Sequence, residues 1–450
     1  MLILQLRLEA RCSRRCLKLN TNPLILFFTL GLISPFASAT SATDRLEGQP
    51  SAEEQVIIDS VESSSKKSQA NSQQLPSYDP EFVAVPFAFS TESLSTAFGA
   101  AGVLKHAGQI QSSILGIGVY STNGSWISYL RFNDYKAPGI DQWLFSAETY
   151  QARYKEGVYY VPGQTDIYAE TEKVVALGDE SYSKLHAKYI LPIGRGSQGA
   201  VRSLGRARGD ISWNPLQSGV TSVKFSPFIQ SRELEGYDYL PEEAKGLALE
   251  LDWDNRDNGK NSTQGGQTNF KLTRDFGSGS RNSWTTWEFE QSAFVSLDSS
   301  DWFGQQIMAF NVYLADTPTW TSDSNGDFHR PPSFAGVSLG GFERLRGYTS
   351  KRFTGRSAVL YSAEYRVQPK WQPLQEWPVF NLYDIPWWQW VAFAEAGQVS
   401  DEFSASALHE DLKWSAGIGA RFEVESIVVR AELAFSEESN QFWIMVNQPF

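Results

Sequence analysis

The chain has 450 residues, and 51 acidic against 39 basic side chains give it a formal net charge of −12. An acidic chain is a poor partner for a phosphate backbone, so we expect no binding to nucleic acid. The two cysteines, Cys12 and Cys16, lie near the amino terminus, so neither a disulfide framework nor thiolate chemistry is expected in the rest of the chain.

The first 39 residues are expected to be a removable signal peptide. Basic residues crowd the start, and the apolar run PLILFFTLGLISPFASA follows and ends on Ala-Ser-Ala at 37–39. A basic start, a short apolar run and an A-x-A site are typical of secretory signals. Pro23 and Pro35 leave too few apolar residues between them for a membrane-spanning helix, which is the competing interpretation. Cleavage there would remove both cysteines and five basic residues.

Residues 40–79 are rich in Ser, Gln, Glu and Lys and contain one apolar island, VIIDSV. Such a segment cannot bury enough surface to order itself, and about forty residues are too few for an independent domain. We expect a flexible periplasmic leader here and a β-barrel over residues 80–450.

From Glu81 onward, strand-like segments of about ten residues recur between clusters of Gly, Asn, Asp and Ser. An even number of strands suits a single-chain bacterial barrel. With both ends in the periplasm, the long extracellular connections are 155–180, 232–245 and 317–356. The sixteen candidate strands lie near 81–90, 96–107, 110–121, 124–134, 141–154, 181–192, 218–231, 246–256, 266–275, 283–296, 304–316, 357–368, 389–398, 412–424, 426–436 and 441–450.

The alternation of side chains favours a membrane barrel over a soluble sandwich. In the strand near 357–368, apolar and aromatic residues share one face, and the other carries Leu360, Ser362, Glu364, Arg366 and Gln368. Charges of both signs deep within a strand fit a polar lumen, and the aromatics at segment ends, as at 377–390, fit interfacial girdles. We therefore predict an all-β fold, a 16-stranded transmembrane antiparallel β-barrel.

Three stretches resemble one family. LGGFERLRGYTSKRFTGRSAVLYSAEYRV (339–367) resembles the signature of the barrel-assembly superfamily, also called the bacterial surface antigen family. VAFAEAGQV (391–399) is similar to its F-x-D-x-G strand, and LALELDWDNRDN (247–258), together with Gly265 and Gly266, is similar to an upstream D-x-R-D strand and its turn. The family includes outer-membrane assembly barrels and two-partner secretion transporters.

The resemblance implies a barrel whose sixth extracellular loop folds back into the lumen and is held there by a motif arginine. Carried over to this sequence, that arginine is Arg346, followed by Gly347 and Tyr348, and its acidic partners are Glu364 and Glu395. Both glutamates lie on faces that the alternation assigns to the lumen. The family usually has Asp where this chain has Glu395, so the side chain here is one methylene longer.

The resemblance also implies a role in inserting or translocating proteins at the bacterial outer membrane, through a seam between the first and last strands. Its surroundings would be outer-membrane lipid, and its clients would be unfolded outer-membrane or secreted proteins. The short leader leaves no room for the family's periplasmic docking repeats, so we expect the subgroup that lacks them, with a periplasmic partner in their place. The open alternative is a passive channel or a structural surface protein without a client.

Two other motifs suggest different chemistry. GVSLG (336–340) fits the G-x-S-x-G nucleophile elbow, but that motif requires a strand-turn-helix setting that an all-β chain does not offer. The segment DWDNRD brings Asp252, Asp254 and Asp257 close enough to consider a cation site. Because Arg256 lies among them, we favour a charge-paired lumen wall. We expect no enzyme activity, no catalytic residue, no cofactor and no metal.

Four further basic residues surround Arg346 in the motif loop. We expect Arg346 to be the lumen lock, because a guanidinium stays charged and matches carboxylates with its planar fork. The others are expected to be solvated or to line the lumen, and they are Arg344, Lys351, Arg352 and Arg356.

Overall fold

The computed structural model describes residues 79–450 apart from 163–170, 205–210, 280, 323, 325, 379, 425–426 and 447. The predicted signal peptide (1–39) and residues 40–78 of the predicted leader lie outside this part of the chain. The barrel strands are β1 (Glu81–Thr91), β2 (Ser95–Lys105), β3 (Ser113–Ser121), β4 (Trp126–Tyr135), β5 (Trp143–Val161), β6 (Glu172–Ile190), β7 (Val220–Leu234), β8 (Glu243–Asp254), β9 (Gly265–Asp275), β10 (Trp284–Leu297), β11 (Phe303–Asp316), β14 (Ser357–Pro369), β15 (Trp388–Ser400), β16 (Lys413–Val424), β17 (Ile427–Ser436) and β18 (Asn440–Val446). Two short strands, β12 (Val337–Leu339) and β13 (Phe353–Gly355), pair with each other between β11 and β14.

The predicted fold class is confirmed. Sixteen strands form one antiparallel sheet in chain order, and the sheet curls into a nearly closed barrel. Each of the sixteen predicted strands overlaps one of these. The curl brings Phe450, which follows β18, against Phe294 of β10, with ring centroids 6.3 Å apart. The two ends of the sheet are β1 and β18, and no ladder between described residues joins them.

Side chains alternate across the wall in the sense opposite to that of a soluble protein. On β17, Arg430 and Glu432 are buried, whereas Leu433 and Phe435 are exposed. Exposed apolar side chains are stable against hydrocarbon, and buried charges are stable only when they pair in a polar lumen. Among the residues described, no helix is long and apolar enough to cross a membrane.

The connection predicted at 155–180 is mostly strand, because β5 and β6 continue their pairing well beyond the expected ends. A register shift between Tyr154 and Gly157 interrupts the two-residue period. Such a bulge ends the sequence pattern without ending the strand. Past the bulge, Tyr159 and Val161 pack into a small buried cluster of their own, which stabilises the extended hairpin.

The last predicted strand, 441–450, ends early, at Val446. Pro449 has no N–H to donate to a ladder. The side chain of Gln448 instead turns inward, and its Nε2 donates to the carbonyl oxygen of Lys260, between β8 and β9, at 2.9 Å.

The two ends of the motif stretch pair with each other, since Ser338 of β12 faces Thr354 of β13 in a short antiparallel ladder. The second half of the long connection between β11 and β14 is therefore a narrow hairpin, and residues 340–352 are its tip. We call residues 337–355 the lumen hairpin.

Candidate functional site

The tip of the lumen hairpin is closed by its own backbone. The N–H of Gly341 donates to the carbonyl of Tyr348 at 3.0 Å, and the N–H of Lys351 donates to the carbonyl of Gly340 at 3.1 Å. Gly340 and Gly341 have φ values of +107° and +110°, which only glycine adopts readily. A Cβ on Gly340 would stand 2.4 Å from the carbonyl oxygen of Thr349. The two glycines thus allow the chain to reverse tightly.

Arg346 lies at the tip and is fully buried. Its Nε donates to Glu395 Oε1 at 3.0 Å, and its Nη1 donates to Glu364 Oε1 at 2.8 Å and to Glu432 Oε2 at 3.1 Å. Its backbone N–H donates to Glu395 Oε2 at 2.6 Å. The guanidinium carbon lies 3.6 Å from the centroid of the Phe393 ring. The structure thus brings Arg346 together with Glu364 and Glu395, and the longer side chain of Glu395 reaches both the guanidinium and the backbone.

Gly347 fits between the hairpin tip and the barrel wall. Its N–H donates to Ser415 Oγ of β16 at 2.8 Å, and its carbonyl accepts from Ser436 Oγ of β17 at 2.8 Å. A Cβ here would stand 2.7 Å from the carbonyl oxygen of Phe435, so only glycine fits without displacement. Tyr348 is also buried and packs in a cluster with Tyr313, Ala315, Val337, Leu339, Leu345, Ala358 and Leu360.

The charge of Arg346 is fixed by its surroundings. Burial alone would lower its pKa, but Glu395, Glu364 and Glu432 together raise the pKa above its ordinary value. The guanidinium therefore stays protonated. A buried charge that loses its partners costs about 3–5 kcal/mol. Removing either Arg346 or its carboxylates alone should therefore destabilise the docked hairpin tip by about this amount.

Three further arginines on the barrel wall extend this network. Arg421 Nη2 donates to Glu364 Oε1 at 2.7 Å and to Glu432 Oε1 at 2.6 Å. Arg366 Nε donates to Glu364 Oε2 at 2.8 Å, and Arg430 Nη1 donates to Glu432 Oε2 at 3.0 Å. All of these side chains are buried. The lumen therefore holds a continuous arginine and glutamate network across β14 to β17, with the hairpin tip as its centre.

Comparison with known proteins identifies the family. A family model described as the Omp85 superfamily domain matches residues 177–441, which is more than half of the chain. The chain belongs to the Omp85 superfamily. This confirms the resemblance inferred from the motifs and makes the barrel a bacterial outer-membrane protein. No curated protein is a significant match to the chain.

The structure of this Omp85 barrel is similar to solved structures at low sequence identity. CdiB from Escherichia coli has a TM-score of 0.51 and 12% identity, over 83% of this chain and 61% of that one. BamA from Haemophilus ducreyi lacking POTRA domains 1–3 has a TM-score of 0.48 and 12% identity, over 81% and 68%. CdiB from Acinetobacter baumannii has a TM-score of 0.45 and 10% identity, over 81% and 58%. The chain spans about three fifths of each CdiB structure.

Sequence reasoning missed Glu432, the third carboxylate bonded to Arg346 in this Omp85 barrel. The signal was present, since β17 alternates so that Arg430 and Glu432 share a face. The β16–β17 ladder places Arg421 opposite Arg430, and two adjacent guanidiniums require carboxylates nearby. The alternation identifies the face, whereas only the register shows which charges meet.

The other basic residues of the motif loop do not join the Arg346 network. The half-buried Lys351 donates from Nζ to the carbonyl oxygen of Phe334, within the same connection. Each remaining residue pairs with a carboxylate of its own: Arg344 with Glu290 at 2.9 Å, Arg352 with Glu438 at 2.7 Å and Arg356 with Asp316 at 2.8 Å.

The acids of DWDNRD each have separate donors. Asp254 pairs with Arg256 at 2.9 Å, and Asp257 accepts from Thr263 Oγ1 at 2.6 Å. Asp252 accepts from the side-chain amide of Gln267 at 2.7 Å. Over the described part of the chain, no three His, Cys, Asp or Glu side chains are grouped so that they could hold a metal ion.

The serine of GVSLG has a different setting from a nucleophile elbow. Ser338 lies in the two-stranded ribbon of the lumen hairpin, where it faces Thr354. A nucleophile elbow places its serine on a sharp turn from a strand into a helix, and the ribbon provides no such turn.

Proposed function

We propose that this Omp85 barrel inserts or translocates polypeptides at the outer membrane, with unfolded outer-membrane or secreted proteins as its clients. In this proposal, Arg346, Gly347, Tyr348, Glu364 and Glu395 form the lumen lock, which keeps the hairpin in the barrel. Membership of the superfamily supports the general role. The observation that carries the proposal is that, among the described residues, no ladder joins the edge strands β1 and β18.

An unjoined edge strand can accept another strand. Each edge presents a row of backbone N–H and C=O groups, which is a template for pairing with an incoming chain. β1 offers eleven residues, Glu81–Thr91, and β18 offers seven, Asn440–Val446. A polypeptide that enters between them can pair its backbone before it leaves for the lipid, where unpaired backbone groups cost several kcal/mol each.

The lock also contacts the edge. Ser439, which precedes β18, donates from Oγ to the carbonyl of Gly347 at 2.9 Å. Trp443 of β18 donates from Nε1 to the carbonyl of Arg346 at 2.8 Å. The hairpin tip is thus bonded both to the inner wall and to the strand that borders the seam. In this proposal the lock sets how firmly β18 is held.

Reconstitution in vesicles tests the function. The purified barrel is placed in phospholipid vesicles, a urea-unfolded eight-stranded outer-membrane barrel is added, and its folding is followed by gel mobility. Folding should be faster than in vesicles containing an equal amount of a porin. Equal rates, together with a steady conductance of the barrel in planar bilayers, would favour the passive channel instead.

A further inference from the structure

Arg421 lies between the lock and the chain that follows β18. Its Nη2 bonds to Glu364 and Glu432, the two carboxylates that also bind Arg346 Nη1. Its Nη1 donates both to Glu364 Oε2 at 2.9 Å and to Gln448 Oε1 at 2.5 Å. A single buried guanidinium therefore connects the partners of the lock arginine to the end of the edge strand.

The chain around Gln448 has left the barrel wall. The β17–β18 ladder is described as far as Val429 and Val446, and β17 reaches Ile427. Continued in the same register, the ladder would place Gln448 opposite Ile427, but these two described residues do not pair. Gln448 instead bonds to Arg421 and to the carbonyl of Lys260.

The following aromatic residue anchors the segment on the opposite wall. Phe450 packs against Phe294 of β10, with the Arg366 guanidinium carbon 5.2 Å from the Phe294 ring centroid and 5.4 Å from that of Phe450. Arg366 is itself bonded to Glu364. Gln448 and Phe450 thus hold the segment to the lock network at two points and keep β18 shorter than β1.

We propose that Arg421 is a positioning residue that couples the lumen lock to the length of the edge strand β18. While Arg346 is bound, Glu364 and Glu432 hold Arg421 where it bonds to Gln448, and the segment beyond β18 stays in the lumen. When Arg346 leaves, the two carboxylates close on Arg421, Gln448 is released, and β18 extends along β17. The inference rests on the proposed lock and adds the connection from the lock to the seam.

The test measures how Gln448 variants change the exposure of the hairpin tip, both in the parent barrel and in an Arg346→Ala background. Trypsin cleavage of the purified barrel at Arg344, Lys351 and Arg352 reports the exposure of the hairpin tip. Gln448→Leu, which touches no hairpin residue, should raise that cleavage rate about tenfold, because it removes a hydrogen bond to a charged group. In an Arg346→Ala background the same change should have less than about a twofold effect, since coupled sites are not additive.

Two further variants separate coupling from general damage. Gln448→Glu keeps an acceptor for Arg421 and should protect the hairpin as well as the parent does. In an Arg356→Ala background, which leaves the network intact, Gln448→Leu should keep its full effect. The proposal is overturned if Gln448→Leu leaves the cleavage rate unchanged, or if it raises that rate by the same factor with and without Arg346. It is also overturned if Gln448→Glu exposes the hairpin tip as much as Gln448→Leu does.

Hydrogen exchange of backbone amides tests whether β18 lengthens when Gln448 is released. In Gln448→Leu, exchange at Ile427 and Val428 should slow, because an extended β18 pairs with these two residues. Unchanged or faster exchange overturns the lengthening of β18. Both measurements use the barrel without a client, so their failure removes the coupling and leaves the insertion and translocation proposal to the vesicle assay.

Discussion

The indole Nε1 of Trp443 donates a 2.8 Å hydrogen bond to the backbone carbonyl of Arg346. Trp443 belongs to the edge strand β18, and Arg346 belongs to the hairpin tip inside the lumen. The bond therefore joins the strand that borders the seam to the buried tip of the lumen hairpin. Displacing the hairpin removes this contact, which is why the stability of the lock and the freedom of the seam should change together.

The first prediction concerns the lock arginine. Arg346→Ala should lower the free energy of unfolding by about 3–5 kcal/mol, because the buried Glu395 loses its cation and Glu364 and Glu432 each lose one of theirs. Urea unfolding in detergent and the temperature of the gel-mobility change measure it. Arg352→Ala is the matched control, since the side chains of Arg352 and Glu438 are 26% and 41% exposed and such pairs contribute at most about 1 kcal/mol. Equal losses in the two variants would contradict the lock.

The second prediction concerns Glu432, which no sequence motif marks. Glu432→Gln keeps the shape of the side chain but removes the charge that faces Arg346, Arg421 and Arg430. Stability should fall by about 1.5–3 kcal/mol, the range for hydrogen bonds to charged groups. Glu437→Gln is the control, because Glu437 accepts from Trp414 Nε1 at an exposed position. If unfolding shows no difference between them, Glu432 is not part of the lock.

The third prediction concerns the space around the hairpin tip. Gly347→Ala should destabilise the docked hairpin by about 1–3 kcal/mol, because its Cβ has no room against β17. Gly118→Ala on β3 is the control, since a Cβ there meets nothing within 4 Å. Trypsin should cleave the tip faster in the first variant than in the second. Identical cleavage would show that Gly347 is not pressed against the wall.

The fourth prediction is a pH dependence. Burial, with the Arg232 guanidinium as the next cause, lowers the pKa of Lys351 to about 7 from an ordinary value of 10.5. Between these values the unfolded chain binds more protons than the folded chain, so stability should rise as the pH rises. The unfolding midpoint should therefore increase from about pH 7 to pH 9.5. Lys351→Met cannot titrate and should flatten this rise, and a parent-like slope in the variant would contradict the assignment.

The sequence predicts much of this barrel because alternation survives wherever strands are regular. It marks the polar face of β14, on which Glu364 lies, and it predicts all sixteen strands. It fails where the two-residue period is broken, at the bulge near Tyr154, and where the chain leaves the wall, near Gln448. Both features depend on contacts with distant segments that no local pattern contains.

The site was predicted in part for the same reason. Arg346 came from a resemblance to a family motif, and Glu364 and Glu395 followed from that motif and from the alternation. Glu432 and Arg421 become partners only through the register of β14 to β17 and the depth to which the hairpin enters. Both the register and the position of the hairpin depend on the tertiary structure, so the residue pattern along one strand cannot predict them.

The central claim is that polypeptide clients meet this barrel at the edge strands, and in-cell photocrosslinking tests it most directly. A photoreactive residue is placed at the exposed positions Phe82 on β1 and Phe442 on β18, with Phe310 on β11 as an exposed control away from the seam. Adducts with newly made outer-membrane or secreted proteins are expected at Phe82 and Phe442, and none at Phe310. Adducts at all three positions alike, or at none of them while the barrel is present in the outer membrane, would contradict it.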